Sequence, residues 1–344
     1  MADLEKSYAE ITNLLKRRIV GMEDVIRLLL AGIFSGGHCL LVGVPGLAKT
    51  RLIASLAQLL ELEFSRIQFT PDLMPSDITG AEIIVEDKQT GDREFKFLRG
   101  PLFANVVLAD EINRTPPKTQ AALMEAMEER QVSSLGQRFE LDAPFFVLAT
   151  QNPIEQEGTY PLPAAQLDRF VFEIKVDYPS EREEADIIKM TTRPHEGDLK
   201  PVLSRSDVLE IIAQVRAMRA PDDVTEYATR VCRLTRPDDA DAPAVAKKYF
   251  AYGAGPRAAQ SLVLASKVLA LMRGDGRPTC ADVRELVLPV LRHRVVINFL
   301  GAADGVDVDE LLREFVGAVP APDRPHGVPS RKKKGFLASL FARS

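Results

Sequence analysis

The chain has 344 residues, of which 46% are hydrophobic and 27% charged, and its 44 basic and 49 acidic side chains leave a net charge of −5. These proportions lie near globular averages and exclude a collagen-like or wholly disordered chain. Arg27 interrupts the best apolar stretch, residues 25–34, which falls well short of the roughly 20 residues that span a membrane. The first residues lack the layout of a secretory signal. We therefore expect a cytoplasmic protein of about two domains, whose acidic balance does not favour nucleic-acid binding.

The first half of the chain alternates β-branched runs with helical patterns, which is typical of a parallel sheet with crossover helices. The predicted strands are His38–Val42, Phe64–Thr70, Val106–Ala109, Phe145–Gln151 and Phe170–Val176. Helical patterns lie between them at Lys49–Leu60 and Pro117–Arg130, and Pro117 suits a first helical turn. The pattern predicts an α/β fold.

Two stretches interrupt this alternation and predict β-hairpins. Residues 80–100 contain an alternating run, Ala81–Val85, then a polar turn at 87–92 and a second run, Glu94–Leu98. Residues 131–144 predict a shorter hairpin that turns at Gly136. Both are inserted between core elements, so we expect functional protrusions rather than packing units.

Past about residue 179 the pattern predicts helices without strands. Ser180 and Glu183 form a capping-box signature, and further helices are predicted at Val208–Arg219, Arg257–Arg273 and Ala281–Leu288. We place a domain boundary near residues 178–179. The predicted units are an α/β core at 1–179, an all-α domain at 180–319 and a basic tail at 320–344.

The tail carries basic residues followed by apolar residues at one-face helical spacing, Phe336, Leu337, Leu340 and Phe341. Two interpretations are open. A short basic amphipathic segment would dock weakly on an anionic membrane or in a partner's groove, whereas a disordered tail would only add solubility.

The strongest motif is a glycine-rich run between the first predicted strand and a helix. It reads Gly43-Val44-Pro45-Gly46-Leu47-Ala48-Lys49-Thr50. Such a loop turns backbone N–H groups and a helix N-terminus towards nucleotide phosphates, with Lys49 as a point charge and the Thr50 hydroxyl as a Mg²⁺ ligand. Ala48 stands where the general pattern has a second glycine, and we expect it to begin the helix with a negative φ. The alternative is a glycine-rich turn before an ordinary helix.

A second motif supports the nucleotide site. Residues 106–109 predict a buried strand, and two carboxylates follow it, Asp110 and Glu111. Asp110 would hold Mg²⁺ through water, while Glu111 would orient the water that attacks the γ-phosphate. An acidic turn at a strand end is common, so the acidic pair indicates a nucleotide site only in combination with the glycine-rich loop.

Three further polar residues follow in positions that suit phosphate chemistry. Asn152 comes directly after a predicted strand and could bind the attacking water or the γ-phosphate. Arg169 follows a short helical pattern, and Arg257 begins a predicted helix after a Gly-Ala-Gly-Pro run. A guanidinium matches a phosphate in shape and charge, although each arginine alone would also fit a surface ion pair.

Five segments in this order resemble the MoxR branch of the AAA+ ATPases: GVPGLAKT, RIQFTPDLMPSDITG, LADEINRTPPKTQAALMEAMEERQV, LATQNPIEQEGTYPLPAAQLDRF and GAGPRAA. The resemblance covers roughly residues 15–300. It implies an AAA+ P-loop core with a parallel sheet, followed by a small all-α lid. Residues 80–100 would be the helix-2 insert hairpin, and residues 131–144 the hairpin before the first sensor.

The resemblance also implies roles for single residues, with ATP and Mg²⁺ as cofactors. Lys49, Thr50 and the loop amides match the Walker A site, and Asp110 with Glu111 matches Walker B. Asn152 falls on the first sensor, Arg169 on the arginine finger that enters the adjacent subunit, and Arg257 on the second sensor. The match of Val20 and Gly21 to the adenine-side loop is weaker.

The function that follows is an ATPase that assembles into a head-to-tail ring, with a homo-hexamer expected. An arginine finger from another chain contributes about 10³ to 10⁵ in rate, so activity should depend on assembly. The family implies remodelling, maturation or metal and cofactor insertion of partner proteins, often with von Willebrand factor A domains. The alternatives are a nucleic-acid or magnesium-chelatase-like motor subunit and a small-molecule kinase.

Overall fold

The computed structural model describes residues 3–86, 93–134, 136–154, 158–192 and 199–322. The strands are β1 (His38–Val42), β2 (Phe64–Gln68), β3 (Gly80–Glu86), β4 (Arg93–Arg99), β5 (Val106–Asp110), β6 (Gln131–Ser134), β7 (Gln137–Glu140), β8 (Phe146–Gln151), β9 (Phe170–Lys175), β10 (Phe250–Tyr252) and β11 (Val296–Ile297).

The helices of the first half are α1 (Leu4–Lys16), α2 (Glu23–Phe34), α3 (Lys49–Leu59), α4 (Pro75–Thr79), the 3-10 helix Ile112–Arg114, α5 (Pro117–Glu129) and α6 (Ala164–Leu167). Those of the second half are α7 (Glu181–Thr191), α8 (Arg205–Ala217), α9 (Asp222–Leu234), α10 (Ala244–Tyr249), α11 (Pro256–Met272), α12 (Cys280–Glu285), α13 (Val287–Leu291), α14 (Phe299–Ala303) and α15 (Val308–Ala318).

The core is a five-stranded parallel sheet in the order β2-β5-β8-β1-β9. All five strands were predicted, and their bounds differ from the predicted ones by at most two residues. The central strands β1, β5 and β8 are buried on both faces, as continuous apolar runs require in a sheet covered by helices. The carboxyl ends of β1, β5 and β8 lie at one edge, where the predicted nucleotide motifs meet.

Both predicted hairpins are present, as the antiparallel pairs β3-β4 and β6-β7. The predicted turn at 87–92 lies outside the described residues. The two hairpins touch each other, because the ring of Phe97 stacks on that of Phe139 with centroids 4.1 Å apart. The inserts therefore form one aromatic-linked protrusion rather than two separate ones.

The second half is helical, as predicted, apart from a short two-stranded ribbon of β10 and β11 that the sequence analysis did not anticipate. The Ser180 capping box is formed at the start of α7. The helix predicted over 281–288 is two helices, α12 and α13, because Pro289 cannot donate a hydrogen bond to the carbonyl of Glu285.

None of the helices in the described part of the chain has the length and apolar character needed to cross a bilayer. The predicted domain boundary near residues 178–179 falls between β9 and α7 and stays a prediction. The basic tail lies outside the described residues from 323 onwards, so both interpretations of it stay open.

Candidate functional site

The glycine-rich loop joins the carboxyl end of β1 to the amino end of α3. Gly43 must be glycine, because a Cβ there would lie 2.4 Å from the carbonyl oxygen of Val176. Gly46 has a φ of +86°, which glycine adopts without steric cost. Pro45 and Gly46 are exposed at the crest, and Leu47 is half-buried against the core. The loop therefore presents its backbone at the edge of the sheet.

The expectation of a negative φ at Ala48 is wrong. Ala48 is left-handed, with φ 54° and ψ 20°, and precedes the first helical residue. An L-residue in this conformation carries a cost of about 1–2 kcal/mol. The physical reason is that Gly46 and Ala48 both have a positive φ and Leu47 between them does not, and such an alternation of left- and right-handed residues turns successive N–H groups into a concave anion-binding surface.

Lys49 lies between the loop and the two carboxylates. Its Nζ donates to the carbonyl oxygens of Gly43, at 2.5 Å, and Val44, at 3.1 Å. Burial lowers the pKa of Lys49, and the charges of Asp110 and Glu111 act on it in the opposite direction. The structure thus brings Lys49 close to Asp110 and Glu111, although Asp110 lies 61 positions further along the chain. The roles that the resemblance implies for these residues stay predictions.

Thr150, at the end of β8, orients the acidic pair. Its hydroxyl donates to Asp110 Oδ1 at 2.7 Å and accepts the backbone N–H of Glu111 at 2.9 Å. Glu111 itself is left-handed, with φ 57° and ψ 51°, a strained conformation that clusters at functional sites. Thr150 was not predicted, although the pairing of Ala109 with Ala149 puts it beside Asp110.

Three more residues that the sequence analysis missed hold the same carboxylates. Arg66 donates to Asp110 Oδ2 from Nε at 3.1 Å and Nη2 at 2.7 Å. Gln68 Nε2 and Arg114 Nη1 both donate to Glu111 Oε2, at 2.7 and 2.8 Å. The available signal was a pair of polar residues two apart at the end of β2, which share one face of the strand.

The residues present fit a nucleotide with Mg²⁺. Mg²⁺ prefers one or two carboxylates, hard oxygen donors and substrate phosphates, and the chain offers the Asp110 carboxylate and the Thr50 hydroxyl, which is half-buried at the start of α3. Asp110 Oδ2 accepts both hydrogen bonds from Arg66, whereas Oδ1 accepts only the one from Thr150 among the described contacts and keeps a further lone pair for a water ligand. The Lys49 amine and the amino end of α3 suit phosphate.

Asn152 follows β8 and is 7% exposed. Its side-chain oxygen accepts the backbone N–H of Ile154 at 3.1 Å. The Asn152 side chain therefore hydrogen-bonds within its own loop, whereas Thr150 contacts Asp110 and Glu111. The sensor role of Asn152 stays a prediction.

Val20 and Gly21 lie in the turn between α1 and α2. Gly21 has a φ of +75°, and a Cβ on it would lie 2.5 Å from Glu183 Oε1, at the start of α7. The turn thus packs against the first helix after the sheet. Its assignment to an adenine site stays a prediction.

Arg169 and Arg257 form a second cluster around Glu128 at the end of α5. Arg169 Nη2 forms an ion pair with Glu128 Oε2, and its Nη1 donates to the carbonyl of Met124 at 2.5 Å. Arg257 Nη2 pairs with Glu128 Oε1 at 2.9 Å. One carboxylate therefore holds both predicted arginines, and the three side chains line one cavity.

This cluster lies at the edge of the sheet opposite the glycine-rich loop. Arg169 precedes β9, whose first residue pairs with His38 at the start of β1, whereas the loop follows the end of β1. Five residues at about 3.3 Å each separate the two edges by roughly 16 Å. The structure therefore does not bring Arg257 or Arg169 to Lys49 of the same chain.

Comparisons with known proteins identify the family to which this fold belongs. A family model described as "ATPase family associated with various cellular activities (AAA)" matches residues 38–172, and one described as "AAA lid domain" matches residues 242–315. The fold and the paired phosphate and acid motifs define an AAA ATPase with a helical lid.

Individual relatives narrow the class. Chaperone MoxR1 of Mycobacterium tuberculosis is 41% identical over 98% of this chain and 88% of its own length, and YeaC of Bacillus subtilis is 39% identical over 93% and 96%. A crystal structure of a Cytophaga hutchinsonii protein superposes with a TM-score of 0.85 at 36% identity, over 93% of this chain and 96% of that one. The chain belongs to the MoxR family of AAA ATPases.

Proposed function

We propose that this AAA ATPase hydrolyses ATP with Mg²⁺ in a site completed by a neighbouring copy of the chain. Lys49 and the amino end of α3 bind the phosphates, and Thr50 with Asp110 holds the ion, which neutralises developing phosphate charge. Glu111 orients the attacking water. Gln68 and Arg114 both donate to its Oε2 and so fix the orientation of the carboxylate that meets this water.

The observation that carries the shared site is the separation of the two clusters. Arg169 and Arg257 lie together at the amino edge of the sheet, and the phosphate-binding residues lie at the carboxyl edge. Arg169 leads directly into β9, so it cannot reach the triphosphate of its own chain without breaking the sheet. A head-to-tail neighbour can supply it. Such an interface either closes into a ring or continues as a filament, and we propose a ring of six subunits.

Mixed assemblies test the shared site. Lys49→Ala should lose nucleotide binding, and Arg169→Ala should bind ATP without turnover. When the two variants are mixed in equal amounts, about one quarter of the interfaces in a head-to-tail ring join the intact nucleotide site of an Arg169→Ala subunit to the Arg169 of a Lys49→Ala neighbour. We therefore expect about one quarter of wild-type activity from independently acting sites.

The matched control is a mixture of Lys49→Ala with Glu111→Gln, in which every site lacks a residue of its own chain. It should stay inactive. Wild-type turnover by Arg169→Ala alone, or a monomer whose specific activity does not fall on dilution, would contradict the shared site.

We further propose that the ATPase cycle, in the cytoplasm, remodels or matures a protein partner, such as one with a von Willebrand factor A domain. The support is the β3-β4 hairpin, where the cross-strand pair Ile84 and Phe95 is 60% and 70% exposed on one face and Leu98 is 60% exposed on the other. Apolar patches of this kind mark interaction sites. A relative of this chain carries the name chaperone, which agrees with such a role.

A hydrolysis-deficient chain tests the partner. Proteins retained by Glu111→Gln should be lost from the double variant Glu111→Gln with Phe95→Ser, while nucleotide binding by the two stays equal. Equal retention by both would rule out the hairpin as the contact. ATPase stimulation by DNA would instead favour the nucleic-acid motor.

A further inference from the structure

Arg294, a buried arginine of the helical lid, forms hydrogen bonds with the turn that contains Arg169. Its side chain is 2% exposed. Nε donates to Asp168 Oδ1 at 2.8 Å, and Nη2 donates to the carbonyl oxygens of Asp168 at 3.0 Å and Phe170 at 2.7 Å. Nη1 donates to the carbonyls of Val171 at 3.2 Å and Val290 at 2.7 Å. The guanidinium thus binds the backbone on both sides of Arg169.

We propose that Arg294 is a positioning residue for Arg169, and this inference rests on the proposed role of Arg169 at the neighbour's nucleotide. Arg294 touches no nucleotide group in that role. It sets the direction in which Arg169 leaves the turn, because the residues immediately before and after Arg169 are both held by one rigid, planar group. A lysine cannot replace it, since an ammonium lacks the fork that reaches several carbonyls at once.

The same contacts connect the turn to the second arginine. The other oxygen of Asp168, Oδ2, lies 3.9 Å from Arg257 Nη1, so Asp168 stands between Arg294 and Arg257. Arg294 comes from the segment between α13 and β11, and Arg257 from the start of α11. Lid and turn are therefore joined at this point, and a movement of the lid carries Arg169 and Arg257 together.

The chain offers a matched control two residues away. Arg292 is also a largely buried arginine, with 11% of its side chain exposed, and it holds the same strand β9. Its Nη1 donates to the carbonyl of Glu173 at 3.1 Å, and its Nη2 pairs with Asp309 at 3.0 Å. Arg292 thus docks the lid on β9 at a point remote from the Arg169 turn.

The test compares Arg294→Met with Arg292→Met in the full chain, by kcat and by binding of a non-hydrolysable ATP analogue. A misplaced catalytic group costs about 100-fold in rate, so kcat of Arg294→Met should fall by about that factor, while its analogue affinity stays within about threefold of wild type. Arg292→Met should keep kcat within about threefold.

The ATPase activity of mixed variants distinguishes a positioning role of Arg294 from a purely structural one. Equal amounts of Arg294→Met and Lys49→Ala should recover about one quarter of wild-type activity, because the intact site of the first meets a correctly held Arg169 of the second in a head-to-tail ring. A misfolded Arg294→Met chain would not be rescued. Arg294→Lys, which keeps the charge opposite Asp168, is the second variant and should show the same loss and the same rescue.

Each outcome decides the matter. Full activity of Arg294→Lys, equal losses in Arg292→Met and Arg294→Met, or no rescue by Lys49→Ala would overturn the positioning role. The Arg169→Ala and Lys49→Ala mixture separates this from the proposed function. If that mixture recovers activity and the Arg294 mixtures do not, only the positioning role is wrong; if it fails as well, the shared site and the positioning role are both wrong.

Discussion

His38 makes the stability of the core sensitive to mild acid. It begins β1, the strand that leads to the glycine-rich loop, and it is 6% exposed. Nδ1 accepts the backbone N–H of Val147 at 2.9 Å, so Nε2 carries the proton and donates to the carbonyl of Met127 at 3.2 Å. Burial lowers the pKa of His38 to about 4, against the smaller opposing effect of the Met127 carbonyl.

The sign and size of the effect follow from proton binding. In the unfolded chain the imidazole titrates near pH 6.5, so between pH 6.5 and 4 the unfolded state binds more protons than the folded state. The contribution to stability is complete above pH 6.5 and is lost as the pH falls towards 4. From pH 7 to pH 5 the loss for His38 amounts to about 2 kcal/mol. His293, also buried with a lowered pKa, acts in the same direction.

Urea unfolding at pH 7 and pH 5 measures this loss, with His38→Gln as the comparison. Glutamine offers one donor and one acceptor but does not titrate, so the variant should lose about 2 kcal/mol less than wild type over this interval. The matching variant His293→Gln should retain the His38 part of the loss. Equal pH dependence in wild type and His38→Gln would refute the assignment of a neutral, buried imidazole.

Two further substitutions probe the site itself. Glu111→Gln should bind the ATP analogue as wild type does and lose at least about 100-fold in kcat, the range of general acid–base and water-orienting groups; normal turnover would show that another group orients the water. Ala48→Gly should raise the free energy of unfolding by up to about 1 kcal/mol, because relief of the left-handed strain exceeds the added backbone entropy of glycine. Urea unfolding at pH 7 checks this, and a destabilised Ala48→Gly would contradict the strain at φ 54°.

Elements with a local cause were predictable from the sequence. The five strands of the sheet follow from short β-branched runs, and both hairpins follow from alternation around polar turns. The Ser180 capping box needs only residues three apart. The meeting of Lys49 with Asp110 and Glu111 was predictable too, because both motifs follow strands of one parallel sheet and must end at the same edge.

Contacts across the sheet needed the tertiary structure. Gln68 and Arg66 contact Glu111 and Asp110 because β2 lies beside β5 in the sheet. Glu128 contacts Arg169 and Arg257 because the end of α5 lies next to the Arg169 turn and the start of α11. The hydrogen bonds of Arg294 with the Arg169 turn join residues more than a hundred positions apart in the sequence. Hydrophobic periodicity predicts which face of an element is buried, but the order of the strands and the docking of the lid are set by packing of the whole chain, and these decide which polar groups meet.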